Sequence, residues 1–245
     1  MSRSSRGPIG AVARLPVTAL ALAVVLVLAL AGCSGSHGGP TLSPTRALAA
    51  AKRHLDGTTG VRIGLSTKAL PRGVSGLLDA RGVGTHAPAF QGTIKVATGG
   101  ITADAAVVAV GGKVYAKLPF TTRFVSIRPA DYGAPDPAGL MATHGGLSSL
   151  LTSARHVRAG KQVRQGDAVL RSYSGTVPGS AVSSVLPGAP ATAGFDATFT
   201  LTDRQRLTRA VLTGPFYAHA ADVTYTIAFS DYGVTRRITA PSSGQ

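Results

Sequence analysis

Residues Gly92–Leu118 read GTIKVATGGITADAAVVAVGGKVYAKL, and this stretch contains the pattern that decides the fold. Apolar Ile94 and Val96 alternate with polar neighbours, and the same period of two returns after residue 112. A period of two gives a β-strand one apolar and one polar face. The glycine pairs Gly99-Gly100 and Gly111-Gly112 are typical of hairpin turns, so we expect antiparallel neighbours rather than parallel crossovers.

The same alternation recurs on both sides of this stretch. It predicts a sheet of roughly nine to eleven antiparallel strands, and a sheet of that size tends to curl. The additional strands are predicted over residues 61–66, 74–85, 154–163, 167–176, 195–201, 207–213, 223–229 and 235–239.

A few short helices complete the predicted elements. Ser43-Pro44 is typical of an N-cap followed by proline at the first helical position, and Gly57 ends that helix. Two short helical stretches are predicted between residues 136 and 153, the first capped by Asp136, and another follows Pro178. Their apolar stripes need a surface to cover, so the predicted fold class is α+β: a strongly curved antiparallel β-sheet, or half-barrel, with helices on the concave face.

The amino terminus carries a separate signal. Three arginines precede an apolar run over residues 15–30, which at about 15 residues is short for a bilayer-spanning helix of roughly 20. The run ends at Leu30-Ala31-Gly32-Cys33, which resembles the lipobox of bacterial lipoproteins. We therefore predict cleavage before Cys33 and acylation of this cysteine, the only one in the chain. An uncleaved anchor helix and an ordinary secretory signal are the alternatives.

This prediction divides the chain into four parts. Residues 1–32 are the signal peptide, 33–43 the acylated cysteine with a flexible Gly- and Pro-containing tether, 44–240 a single domain, and 241–245 a frayed tail. Two or three acyl chains would hold the protein stably on a bilayer. The expected location is the extracytoplasmic face of the cell membrane.

The composition limits the partners that the exported part can have. The net charge of +15 becomes +12 once the three arginines of the signal are removed. This balance favours anionic lipid head groups or an acidic cell wall, while export and the lack of interleaved aromatic residues argue against nucleic acid. A basic surface without a specific partner is equally compatible with the charge.

Motifs for catalysis or metal binding are missing from the sequence. There is no G-x-S-x-G elbow, no HExxH and no glutamate, so we expect neither an enzyme nor a catalytic residue. The six histidines, at positions 37, 54, 86, 144, 156 and 219, show no metal-ligand spacing. No metal site and no cofactor are therefore expected.

The order of the elements is similar to that of one known family. An acylated cysteine, a tether, one helix, antiparallel strands, a central pair of helices, two strands, a short helix and a final run of strands resemble the LppX and LprA/F/G-type lipoproteins of mycobacteria and related actinobacteria. The most specific local pieces are Gly92–Val96 with Gly99-Gly100, Ala103-Asp104, Gly112–Leu118, and residues 166–174 and 180–186. None of these pieces is a catalytic signature.

The resemblance implies a half-barrel whose helices enclose an apolar cavity for acyl chains. It implies that the protein binds acylated lipids, glycolipids or lipoglycans and carries them toward the outer envelope, with a membrane lipid exporter as a further partner. Alternation and position in the matching motifs together predict ten cavity-lining residues, which are Ile94, Val96, Leu147, Leu150, Leu151, Val182, Val185, Leu186, Phe199 and Ile227. Any of them could instead be an ordinary core residue.

One departure from the family pattern concerns the entrance to the cavity. Family members often have a tryptophan after the turn at Leu118-Pro119, whereas this chain has Arg123-Phe124. The lipid class is therefore not transferred from a relative. The alternative function is that of a structural or adhesive envelope lipoprotein, with a solid core and a basic surface that binds the cell wall.

Overall fold

A single antiparallel sheet of eleven strands dominates the computed structural model, which describes residues 42–132 and 134–242. The signal peptide, Cys33 and most of the tether lie outside the described residues. The strands are β1 (Gly60–Thr67), β2 (Gly76–Thr85), β3 (Ala89–Thr98), β4 (Ile101–Val110), β5 (Lys113–Lys117), β6 (Val125–Ile127), β7 (Arg155–Gln165), β8 (Ala168–Pro178), β9 (Gly194–Thr202), β10 (Leu207–Gly214) and β11 (Val223–Ser230).

The helices of the described part are short apart from the first. Helix α1 spans Pro44–Asp56, with proline at its start and Gly57 after its end, as the sequence predicts. The segment between β6 and β7 forms two 3₁₀ turns, Pro129–Tyr132 and Gly139–Met141, before α2 (Ser149–Ser153). Helix α3 (Gly179–Val185) follows Pro178. The predicted first central helix is thus a single 3₁₀ turn, although Asp136 does accept a hydrogen bond from Ala138 N at 2.9 Å.

The first and last strands, β1 and β11, are neighbours in the middle of the sheet. The strand order is β6-β5-β4-β3-β2-β1-β11-β10-β9-β8-β7, so β1 pairs with both β2 and β11. In the β1–β11 pair, Ile63 lies opposite Phe229 and Leu65 opposite Ile227. The sheet is not closed, because β6 and β7 each have one neighbouring strand and form its edges.

The helical segments require the sheet to curve. The turn Gly139–Met141 contacts β2, while α1 contacts β10 and β7. Strands β2 and β7 are six positions apart in the sheet order. In a flat sheet with strands about 4.8 Å apart, this separation would be about 29 Å. One helix is only about 10–12 Å across with its side chains, so helical segments that pack on one another reach both strands only if the sheet bends around them. The helices therefore lie on the concave, inner face, as predicted.

The main hydrophobic core lies between these helices and the strands on one side of the sheet. Leu48 and Leu55 of α1 and Leu151 of α2 are almost fully buried there against Phe195 and Phe199 of β9. A second, smaller cluster joins Phe90, Val107, Ala109, Val114 and Ala116 of β3–β5 to Ala138 of the connecting segment. Burial of these side chains stabilises each cluster by roughly 1.5–3 kcal/mol for each large apolar residue.

Lys52 fixes the connecting segment onto α1. Its Nζ donates hydrogen bonds to Asp56 Oδ2 at 2.6 Å, to the Thr143 carbonyl oxygen at 2.6 Å and to Ser148 Oγ at 3.2 Å. The ammonium group thereby joins the last turn of α1 to the segment that leads into α2. This contact holds Met141, which is 4 % exposed, over Gly84 of β2.

Two paired glycines allow β2 and β3 to approach closely where the sheet bends. Gly82 lies opposite Gly92, and a Cβ added to Gly92 would overlap the Arg81 carbonyl oxygen and lie 2.7 Å from Gly82 Cα. The ring of Phe90 occupies the space beside Gly82, since its Cζ would lie 2.5 Å from a Cβ there. Glycine in a strand interior often marks such a close approach or bend.

The prediction of a final strand at residues 235–239 is wrong. Both edges of β11 are already paired, with β1 and β10, so a following segment has no free edge beside it. Asp231 and Gly233 adopt positive φ angles, and Gly233 N donates to the Gly60 carbonyl oxygen at 3.0 Å. The tail then crosses the outer face, where Ile238 packs with Ala89 and Val108.

We expect Gly92→Ala to destabilise the protein by about 1–3 kcal/mol, because its Cβ meets backbone atoms that cannot move without distorting the β2–β3 ladder. Urea unfolding measures this difference. Gly64→Ala is the matched control: Gly64 lies in β1, and a Cβ there has no atom within 4 Å. Equal stability of the two variants would contradict the proposed close approach.

Candidate functional site: the open apolar face

The inner face of the sheet is covered over one half of its strands and partly uncovered over the other half. Helices and core residues cover β1 and β8–β11, whereas the ends of β2, β3 and β4 next to the β3–β4 hairpin carry half-buried apolar side chains. Strand register places these side chains side by side: Ala80 lies opposite Ile94, Leu77 opposite Val96, and Val96 opposite Ala103. We call these five residues the open apolar face.

Opposite faces of the same three strands differ sharply in polarity. The outward positions that alternate with the open apolar face hold the ion pairs Arg81–Asp79 at 3.1 Å and Lys95–Asp104 at 3.7 Å. These exposed pairs contribute little to stability. Because these charged residues lie on the outer face, the inner face of β2–β4 keeps its apolar side chains. Such a face suits an apolar ligand.

A pair of tyrosines marks the border between the covered and the open part. Tyr225 of β11 donates a hydrogen bond to the Leu77 carbonyl oxygen at 2.7 Å, and Tyr217 must then donate to Tyr225 Oη, also at 2.7 Å. Gly76 permits this approach, because a Cβ there would collide with the Tyr217 hydroxyl. Burial, and next the hydrogen bond with Tyr217, raise the pKa of Tyr225 well above its ordinary value.

The structure separates the ten predicted cavity residues into three groups. Ile94 and Val96 belong to the open apolar face, and Ile94 also touches the second core cluster. Val185 and Leu186 are partly buried at the edge of the main core. The remaining six are buried within that core and pack with the helices and sheet around them, namely Leu147, Leu150, Leu151, Val182, Phe199 and Ile227.

Two pockets lined by described residues lie away from these side chains. One, of about 380 Å³, lies on the outer face where Arg236, Arg237 and Ile238 of the tail cross the strand ends near Ala89. The other, of about 430 Å³, lies between the end of α2 and the start of α3. Neither is lined by a predicted cavity residue.

Sequence reasoning missed Leu77 and Ala80, and an irregularity in β2 explains why. The register shifts between Leu77 and Asp79, which leaves Leu78 as an extra residue in the strand. This bulge breaks the period of two, so Leu77 and Ala80 share a face although they are three residues apart. Ala103 belongs to one of the segments that resemble the family, and its half-buried side chain in β4 completes the open apolar face.

Phe124, one of the two residues that depart from the family pattern, does not border the open apolar face. Phe124 packs on the outer face of the sheet with Tyr115 and Val110, in the cluster that also contains Ile238. Arg123 is exposed in the loop between β5 and β6. Phe124 therefore lies on the face of the sheet opposite to the open apolar face.

Neither a metal site nor a membrane-spanning helix is found in the part of the chain that the structure describes. Within residues 42–132 and 134–242, no three His, Cys, Asp or Glu side chains lie close enough together to hold a metal ion. In the same ranges no helix combines the length and the apolar character needed to cross a bilayer. His86, one of the six histidines, instead contacts the Leu55 carbonyl oxygen through Nε2 at 2.8 Å.

An open antiparallel half-barrel with helices on its inner face is the class of protein that this geometry defines. The model of the LppX_LprAFG lipoprotein family matches residues 43–236, so the chain belongs to that family. This match confirms the resemblance seen in the sequence.

Two solved structures share the fold. LprF from Mycobacterium bovis aligns with a TM-score of 0.67 and 16% identity, covering 83% of this chain and 99% of LprF. The Mycobacterium tuberculosis lipoprotein LppX aligns with a TM-score of 0.55 and 16% identity, covering 80% of this chain and 100% of LppX. At such low identity these likenesses establish the fold alone. Comparison with curated protein sequences gives no match.

Two tyrosines, the buried Tyr225 and the partly buried Tyr232, predict a loss of stability at high pH. Burial raises the pKa of Tyr225 and of Tyr232, although the nearby Arg206 opposes the shift at Tyr232. The unfolded chain therefore releases these protons first, near pH 10, and the folded state loses stability above about that pH, by up to about 1.4 kcal/mol per pH unit for each group. Urea unfolding between about pH 8 and 11 measures the slope. Tyr225→Phe should reduce it, and an unchanged slope would contradict this account.

Proposed function

We propose that this protein is a membrane-anchored envelope lipoprotein that binds acylated lipids or lipoglycans and carries them toward the outer envelope. The single observation that carries this proposal is the open apolar face, an uncovered apolar strip on the inner side of a half-barrel. Membership of a lipoprotein family supports the anchoring. A membrane lipid exporter would be the partner that supplies the cargo.

The physical requirement on such a carrier is a dry surface for acyl chains. A C16 chain exposed to water costs on the order of 12 kcal/mol, at about 0.8 kcal/mol for each CH₂ group. Ile94 and Val96 offer apolar side chains that are already half exposed, so a chain lying on them displaces water without breaking the core. No cofactor or metal is needed for this binding.

The other eight predicted residues would take part through a movement of the helices. Val182 and Val185 belong to α3, and Leu186 follows it directly. Leu150 and Leu151 belong to α2, and Leu147 precedes it. Both helices are short and lack a side-chain hydrogen bond at their N-caps. Their displacement from Phe199 and Ile227 would extend the open apolar face into a slot that continues beneath the helices.

A structural or adhesive envelope lipoprotein is the second candidate function. The observation in its favour is the packing of six predicted cavity residues into the main core, together with the basic outer face. Arg62, Lys95, Lys113, Lys117 and Arg209 all occupy outward positions on their strands and are exposed. Such a face could bind an acidic wall polymer whether or not the inner face binds lipid.

The test uses residues 34–245 produced in a lipid-rich actinobacterial host. Native mass spectrometry should show a stoichiometric added mass that is lost on denaturation, and organic extraction should recover a lipid with acyl chains. Val96→Asp places a carboxylate on the open apolar face and should weaken binding by about 3 kcal/mol, or about 100-fold. Thr93→Asp is the matched control, because Thr93 is exposed on the outer face of the same strand.

The outcomes separate the two functions. Loss of lipid from the Val96→Asp variant alone supports binding on the open apolar face, and retention in both variants excludes that face as the site. A wild-type protein that carries no lipid and takes up no added glycolipid favours the structural function instead.

The anchoring prediction is tested on the whole chain. The membrane-extracted wild-type protein should begin at Cys33 and carry the mass of two or three acyl chains, because processing at the lipobox leaves Cys33 as the acylated amino-terminal residue. Cys33→Ala should abolish both changes, whereas Ser34→Ala should leave them intact; intact-mass spectrometry reads all three proteins. A wild-type mass that retains residues 1–32 with a free thiol would instead indicate an uncleaved anchor helix.

A further inference from the structure

Exposed apolar side chains are concentrated in one stretch of the described chain. Of the seven large apolar residues of the described ranges that are markedly exposed, four lie between residues 101 and 125. Their exposed fractions are 70% for Ile101, 39% for Leu118, 108% for Phe120 and 44% for Val125. Single exposed apolar residues are normal, but a group of them on adjacent loops marks an interaction surface.

Strand register places the loops that carry these residues at the same end of the sheet. The β3–β4 hairpin closes with Thr98 opposite Ile101, and Lys117 at the end of β5 lies opposite Ala106. Because β4 and β5 run in opposite directions, the loop after Lys117 lies at the end where β4 begins. The β1–β2 loop, residues 68–75, lies at this end too, since Ser66 pairs with Asp79. We call this end of the sheet the hairpin end.

The loop between β5 and β6 holds Phe120 away from the rest of the protein. Thr121 closes a turn on the Leu118 carbonyl oxygen, through its backbone N at 3.1 Å and its Oγ1 at 2.7 Å. Phe120 adopts a left-handed backbone, with φ at 63°, which is unfavourable for a bulky side chain. The fold thus exposes an aromatic ring to solvent, although both the exposure of the ring and the strained backbone of Phe120 are unfavourable.

The exposed charges at the hairpin end that lie outside the ion pairs Arg81–Asp79 and Lys95–Asp104 are mainly positive. Lys68 and Arg72 of the β1–β2 loop, Lys117 at the end of β5 and Arg123 of the next loop are all exposed at the hairpin end. Asp222, before β11, is an exposed carboxylate at the same end. Cations surrounding exposed apolar side chains are complementary to a bilayer with anionic head groups, where each Lys or Arg near the surface contributes to binding.

We infer that the hairpin end docks onto an anionic lipid bilayer, with Phe120, Leu118 and Ile101 entering the boundary between head groups and acyl chains. Docking of this kind does not depend on lipid binding by the open apolar face. The open apolar face reaches the same end, since Val96 and Ala103 are the pair two residues inside the β3–β4 hairpin closure. An acyl chain leaving a docked bilayer would therefore meet this face first.

The test uses the mature full-length protein in vesicles and a polarity-sensitive fluorophore on an introduced cysteine. Thr122→Cys places the probe next to Phe120, and Val163→Cys places it on a residue that is 60% exposed near the opposite end of the sheet. Labelling of the wild-type chain controls for reaction at Cys33. With vesicles containing phosphatidylglycerol, the Thr122→Cys probe should shift to the blue and be quenched by nitroxides on lipid tails. The Val163→Cys probe should do neither.

Two further variants identify the forces that act. In the Thr122→Cys background, Phe120→Asn should abolish the shift, because asparagine tolerates the left-handed backbone and lacks the apolar ring. Lys117→Gln with Arg123→Gln should lower the ratio of docked to undocked protein by about 30-fold. Lys161→Gln with Arg164→Gln, on the β7–β8 hairpin, should leave this ratio unchanged.

Other results would overturn the proposal. An unshifted Thr122→Cys probe excludes docking by this end, and so does an equal shift at Val163→Cys. An equal response to vesicles made only of phosphatidylcholine would exclude recognition of anionic lipid. Circular dichroism shows whether each variant is folded, so that a loss of docking is not mistaken for unfolding.

Discussion

The pairing of β1 with β11 is the contact on which the rest of the structure depends. It joins two segments more than 150 residues apart in sequence, with Ile63 opposite Phe229 and Arg62 opposite Ser230. Without it, β1–β6 and β7–β11 would be two separate sheets, each with an additional open edge. Because long-range strand pairing closes a large loop, its entropic cost has to be offset by the apolar residues on both strands. Those residues belong to the main core.

The two sides of this junction have different roles. On the β8–β11 side, three helices and the residues around them fill the inner face with a packed core. On the β2–β5 side, Ala138 and Met141 cover only part of the sheet, and short side chains such as Ala80 and Ala103 leave another part uncovered. The main core thus fills one half of the inner face, while part of the other half, the open apolar face, remains uncovered.

Much of the fold could be predicted from local patterns. Alternation located the strands around Ile94, Phe199 and Ile227, and the glycine pairs located their hairpins, because the period of two and positive φ angles are properties of a few neighbouring residues. The prediction of a strand at residues 235–239 failed for a non-local reason, because no strand edge is free where they lie. The bulge at Leu78 likewise depends on how β2 pairs with β3.

The sequence by itself determined the fold class, the long helix at Pro44–Asp56 and the family, since each is expressed in patterns along the chain. It also identified Ile94 and Val96 as apolar residues on the inner side of a strand. Only the tertiary structure decided that these two are open while Leu150 and Phe199 are buried, because exposure depends on what the helices cover. The pairing of strands, rather than any local motif, brings Ile101, Leu118 and Phe120 to one end of the sheet.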